Sequence, residues 1–176
     1  MAGGSSRGDE VDRLIEAWGR ERPDLELAPM QVLSRVTRLA RHLDRQRSNA
    51  FAAHGLETWE FDVLAALRRA GAPYQLSPGQ LLKETLVTSG TMTNRVDRLE
   101  TRGLVAREDH PGDRRGVLVR LTATGLSSVD AALSDLLDAE RQILSAMSTD
   151  EQDQVSACLR QLLLTYDAGA APAAGG

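Results

Sequence analysis

The stretch that most constrains the fold runs from Leu76 to Gly125, LSPGQLLKETLVTSGTMTNRVDRLETRGLVAREDHPGDRRGVLVRLTATG. Its pattern reads as helix, turn, helix, then a two-stranded hairpin. Ser77 is a good N-cap, and Pro78 falls at the first helical position, where a missing N–H costs nothing. Gln80 stands where it completes a capping box with Ser77. Leu81 and Leu82 give this short helix an apolar side. The chain turns through Leu86 and Val87, and Thr88 or Ser89 caps a second helix. Met92, Val96 and Leu99 recur at i, i+4, i+7 and predict one buried stripe. Thr91, Asn94, Arg95 and Arg98 lie off that stripe. Gly103 is the C′ glycine that stops the helix.

A strand is expected from Leu104 to Arg107, then a polar loop from Glu108 to Arg115 with Pro111 and Gly112 at its tip. The return strand places Val117, Val119 and Leu121 on one face. A helix whose free face carries Ser, Thr, Asn and Arg suits a DNA major groove, because those side chains reach phosphates and base edges. An arginine-tipped hairpin beside it suits the neighbouring minor groove.

This segment resembles the winged helix-turn-helix of the MarR family of transcription regulators. The resemblance is carried by TSGTMTNRVDRLETRGLV, by the wing sequence Asp113-Arg114-Arg115 and by Leu121-Thr122-Ala123-Thr124-Gly125. It extends from about Val11 to Tyr166. It implies a mainly α fold, with N- and C-terminal dimerisation helices around the winged helix-turn-helix and its two-stranded β wing. It also implies a homodimer on a double-stranded, pseudo-palindromic DNA operator, acting as a repressor. The expected DNA contacts are Ser89, Thr91, Met92, Thr93, Asn94 and Arg98 on the reading helix, with Asp113, Arg114 and Arg115 on the wing. In wings of this kind the acid pairs with the arginine that enters the minor groove, which maps to Asp113 and Arg115. Arg114 then falls to phosphate.

Charge supports a local rather than a global DNA surface. The chain of 176 residues carries a formal net charge of −4, which argues against non-specific polyanion binding by the whole surface. From Thr88 to Arg120, however, seven arginines stand against five acids, whereas from Asp130 to Asp167 eight acids stand against Arg141 and Arg160. Aromatic residues make up only 3%, so the core must be aliphatic and alanine-rich, which favours helices. The single cysteine excludes an intrachain disulfide framework. No segment has the roughly 18 uninterrupted apolar residues of a membrane span, and the N-terminus lacks a signal peptide's apolar core. A cytoplasmic protein is the expectation.

Along the chain, residues 1–8 are Gly/Ser-rich and expected to be disordered. Residues 9–57 hold an added helix with Val11, Leu14, Ile15 and Trp18, ended near Pro23, and a long helix from Pro29 to about Ala53. The long helix should bury Met30, Leu33, Val36, Ala40 and Leu43. Residues 58–122 form the DNA-binding domain, in which Thr58 caps a helix burying Phe61, Leu64 and Leu67. Residues 123–167 hold two further helices. The first, capped by Thr122, carries a stripe of Leu126, Val129, Leu133, Leu136, Leu137, Ile143 and Met147. The second opens on the capping box Ser148 to Glu151 and carries Val155, Leu159, Leu162 and Leu163. Residues 168–176 are a low-complexity tail, also expected to be disordered. The terminal helices hold more apolar surface than a lone winged helix can cover, so a second copy is the expected sink. Such a dimer places two reading helices about one DNA turn, ~34–36 Å, apart.

Trp18, RERPDL and LVTSGTMTNR resemble the PecS-like, urate-responsive branch of the family. That branch uses a Trp on the added helix, an Asp on the helix after the long one, an Arg on the reading helix and an Arg on the wing's first strand. Here they match Trp18, Asp62, Arg95 and Arg107. The implied ligand is a small anionic purine such as urate, which stacks on indole and accepts paired hydrogen bonds from guanidinium. The bland reading makes Trp18 a core anchor and puts the other three in an ordinary buried salt-bridge network. A phenolic or other aromatic acid is the alternative ligand. A dimeric protein-interaction module without DNA binding is the alternative of another class.

Other features carry less. Cys158 falls on the apolar stripe of the last helix, where a small core residue is the plain reading and a redox sensor the sharper one. His42, His54 and His110 are scattered and lack metal-ligand spacing. The sequence shows no phosphate loop and no recognisable catalytic constellation. No cofactor and no enzymatic activity are expected.

Overall fold

A computed structural model describes residues 8–85, 88–109, 112 and 116–169. The expected turn at Leu86 and Val87, the wing residues Asp113, Arg114 and Arg115, His110, and nearly all of both termini lie outside the described residues. The elements run α1 (Glu10–Glu21), α2 (Ala28–Ala52), α3 (Thr58–Arg69), β1 (Gln75–Leu76), α4 (Pro78–Thr85), α5 (Ser89–Thr101), β2 (Val105–Asp109), β3 (Val117–Leu121), α6 (Ala123–Leu144) and α7 (Thr149–Gly169). The fold is mainly helical, with a small antiparallel sheet.

Local chemistry starts most helices where expected. Ser77 N–H donates to Gln80 Oε1 at 2.8 Å and Gln80 N–H to Ser77 Oγ at 3.3 Å, the reciprocal capping box of α4. Ser148 and Glu151 make the same exchange before α7. Thr122 Oγ1 accepts from Gly125 N–H at 3.0 Å. Gly103 follows α5 at φ +69°, the left-handed conformation that ends a helix. The start of α3 is different. Glu57, not Thr58, holds the cap position, and its N–H donates to Glu60 Oε2. The threonine pattern misled because the acid before it competes for the same place.

The sheet has three strands in the order β1-β3-β2, not the two of the expected wing. Gln75 pairs with Arg120 and Leu76 with Val119. A two-residue strand has no periodicity to reveal it in sequence. β2 also continues two residues into the expected loop, with Glu108 opposite Leu118 and Asp109 opposite Val117. On β3, Val119 and Leu121 are buried, but Val117 is exposed and Leu118 is buried from the opposite face.

The core joins α3, the stripe of α5, the sheet and one side of α6. Phe51 at the end of α2 stacks on Phe61 with ring centroids 3.9 Å apart. Leu64, Leu67, Leu81, Met92, Val96, Leu99, Val119, Val129 and Leu136 are among its other members. Gly125 packs so closely that a Cβ there would stand 2.0 Å from Leu104 O. The helix has to start against that backbone, which only glycine permits.

Outside this core the expected burial fails within one chain. Leu33 is 53% exposed and Leu163 63%. Val36, Leu133, Leu137, Ile143, Val155, Leu159 and Leu162 are exposed as well. Cys158 is exposed, not buried. Trp18 is 48% exposed, so it is no core anchor here; Val11 alone sinks from α1. These residues keep helical periodicity but are left partly uncovered in a single copy, among the described residues. No described helix is long and apolar enough to cross a membrane.

Candidate nucleic-acid interface

The reading helix is α5. Its buried stripe of Met92, Val96 and Leu99 seats it on the core. That seating turns Ser89, Thr91, Thr93, Asn94 and Arg98 outward, all exposed. Met92 is the correction to the expected contact set. At 1% exposure its side chain is enclosed and cannot reach a base. Its thioether fills the core instead, as the i, i+4, i+7 spacing required. Thr88 Oγ1 and Thr91 Oγ1 lie 2.9 Å apart, and Thr93 Oγ1 donates back to Ser89 O. The first turn of the helix is thereby held by its own hydroxyls, with no side-chain cap bond from Thr88.

The described arginines of the reading head are engaged within the fold. Arg98 Nη2 donates to Glu57 Oε1 at 2.7 Å. Its guanidinium lies 4.7 Å from the Trp59 ring centroid, and that of Arg95 lies 5.4 Å from the same ring. Arg102, just past α5, bonds the buried Glu60 carboxylate and donates to Gly55 O at 2.8 Å. This strut ties the end of the reading helix to the α2–α3 corner. Arg107 on β2 bonds both Asp97 and Glu100 of α5, and those carboxylates raise its pKa, Asp97 most. Arg120 pairs with Glu108 across the sheet.

The four expected ligand residues are not joined to one another. Asp62 meets Arg47 at 3.5 Å, Arg95 meets Trp59, Arg107 meets Asp97 and Glu100, and Trp18 stands apart on α1. Among the described residues no hydrogen bond, ion pair or ring contact links any two of the four. Two surface hollows do share Glu57 and Trp59 as walls. One is completed by Thr91, Asn94, Arg95 and Arg98, the other by Ser48, Ala52, Leu56, Thr58 and Asp62. Asp62 and Arg95 thus border neighbouring hollows with the Trp59 indole in common.

Glu57 and Trp59 are the residues that reading the sequence missed. The available signal was an acid three residues before Glu60 at a helix start, with an indole between them.

A helix-turn-helix with a β hairpin and an exposed polar reading face defines a winged-helix transcription regulator. The MarR family profile matches residues 54–116. The transcriptional regulator PecS of Dickeya dadantii is 38% identical over 150 residues, spanning 85% of this chain and 90% of that protein. The repressor NicR of Pseudomonas putida is 29% identical, spanning 79% and 89% respectively. Among solved structures, wild-type MarR from E. coli in its apo form superposes with a TM-score of 0.63 at 26% identity, covering 75% of this chain and 96% of that one. A MarR family regulator from Streptomyces coelicolor gives 0.64 at 25% identity, covering 81% and 97%. The chain belongs to the MarR family: it is a DNA-binding transcriptional regulator, not an enzyme.

Proposed function

We propose that this protein is a homodimeric repressor that binds a pseudo-palindromic operator and is released by a small anionic purine-like ligand such as urate. The observation that carries the reading is the division of α5 into an enclosed apolar stripe and an exposed face of Ser89, Thr91, Thr93, Asn94 and Arg98. Those five enter the major groove. Arg115 of the wing, steadied by Asp113, enters the minor groove, and Arg114 meets phosphate. The uncovered apolar sides of α2, α6 and α7 meet their equivalents in a second copy.

Ligand release follows from where the four polar positions attach. Arg107 ties the wing strand to α5, and Arg95 sits on α5 itself. An anion that takes either guanidinium competes with the contacts that hold the reading head in its free shape. A ligand favouring a geometry other than the operator-bound one lowers DNA affinity by that preference. Trp18 supplies an exposed indole to stack on a flat ligand, and Asp62, paired with Arg47, senses its charge.

The test is a titration of DNA from the protein's own upstream intergenic region, with and without urate. Loss of binding at a urate concentration that also raises the melting temperature is expected, blunted in Trp18→Ala. DNA binding that ignores urate would leave the regulator reading and remove the purine. DNA binding should weaken linearly on a log–log salt plot, and a protein that binds no DNA would be a protein-interaction module instead.

A further inference from the structure

The corner before α3 holds a cluster whose two non-basic members engage the same arginine in different ways. Trp59 meets Arg98 through the face of its ring, at 4.7 Å to the centroid, and Arg95 approaches the same ring at 5.4 Å. A guanidinium stacked by its face keeps its in-plane N–H donors free for an oxygen. Glu57 instead occupies that edge: its Oε1 accepts from Arg98 Nη2. Stacking on Trp59 therefore leaves all of those donors to a phosphate or base, whereas the bond to Glu57 takes one of them and offsets the guanidinium charge.

Glu57 is tied to the start of α3 independently of Arg98. Its other oxygen accepts from Trp59 Nε1–H at 2.7 Å, and its backbone N–H donates to Glu60 Oε2 at 2.9 Å at the start of α3. The Trp59 N–H, and then Arg98, hold its carboxyl below the ordinary range, so it stays charged at neutral pH. Both partners of the ion pair are 57% exposed, and such a pair is weak enough to be exchanged for a nucleic-acid oxygen.

We propose that Trp59 and Glu57 are positioning residues for DNA recognition with opposite signs: Trp59 presents Arg98 to DNA, and Glu57 competes with DNA for it. The corner thus sets how much affinity the reading helix expresses, without touching the nucleic acid. The inference rests on the proposed placement of Arg98 at DNA.

Operator affinity of the full-length protein would be measured by fluorescence anisotropy for Glu57→Gln, Trp59→Leu, Arg98→Gln and the two double variants with Arg98→Gln. Melting temperatures would be read in parallel. Glu57→Gln should tighten binding about threefold, the scale of one exposed ion pair. That gain should vanish when Arg98 is already Gln. Trp59→Leu should weaken binding about fivefold, on the scale of a cation–π contact, and by less in the Arg98→Gln background. An equal gain from Glu57→Gln in both backgrounds would reduce Glu57 to general charge repulsion and overturn the proposal. So would a Trp59→Leu protein that melts earlier but binds as before. An Arg98→Gln protein with wild-type affinity would remove Arg98 from the DNA, and the proposal with it, while leaving the rest of the interface standing.

Discussion

Glu60 has no exposed surface, and its two oxygens are treated unequally. Oε2 receives the Glu57 N–H and the Arg102 guanidinium, whereas Oε1 has no hydrogen-bond partner among the described residues. The partners are unequal too, since the Arg102 side chain is 40% exposed. Removing the arginine strands a buried charge; removing the acid strands a guanidinium that still sees water. Arg102→Met should therefore cost about 3 kcal/mol, the lower end for breaking a buried pair from one side. Adding Glu60→Gln to it should restore much of that loss, because no charge is then left buried. Chemical denaturation of the two variants and their double checks this; additive losses would mean that the pair is not coupled. None of this was legible in the sequence, where Glu60 and Arg102 stand 42 positions apart. Met92 was legible in one sense and misread in another. Its spacing with Val96 and Leu99 marked it as core, and a side chain committed to the core has no surface to offer DNA.

At the scale of elements, the starts of α4, α6 and α7 were readable because a cap is written in four consecutive residues. The first turn of α6 is the tightest case. A Cβ on Gly125 would stand 2.0 Å from Leu104 O, so Gly125→Ala must shift either α6 or the chain entering β2. A loss of about 2 kcal/mol is expected, as for other overpacked sites, and a fall in melting temperature reports it. The attachment of α1 is of another kind. Val11 anchors it, while Arg35 bonds Asp9 and Asp12 and Arg38 bonds Glu10. Arg35 above all holds the Asp9 carboxyl below its ordinary value of 3.8. A lowered carboxylate contributes stability above the unfolded value and loses it as pH falls through the lowered one. α1 should hence loosen as pH falls below 3.8, and sooner in high salt, because these pairs are exposed. Hydrogen exchange of the α1 amides should rise ahead of those of α3. Simultaneous release would mean that the ion pairs do not hold the helix.

For the whole molecule, the decisive feature is apolar surface without a partner. Leu163 on α7 is 63% exposed and Leu33 on α2 53%, on faces whose periodicity is that of buried helices. Exposed large apolar side chains repeated on several helices mark an interaction site. Leu163→Glu should place a charge in the proposed dimer seam. The variant should sediment as a smaller species, and its operator affinity should fall by an order of magnitude or more, because each half-site then binds alone. A variant that keeps its assembly state would move the seam elsewhere. By itself the sequence determined what depends on neighbours within a turn or two: helix caps, the buried stripe of α5, the polar face opposite it and the pattern that marks a winged helix. Only the tertiary structure decided which residues from distant segments meet. It set Glu57 and Trp59 against Arg98, Glu60 against Arg102 and β1 against β3. It also left the apolar sides of α2, α6 and α7 open, because periodicity says that a face will be covered but not by what.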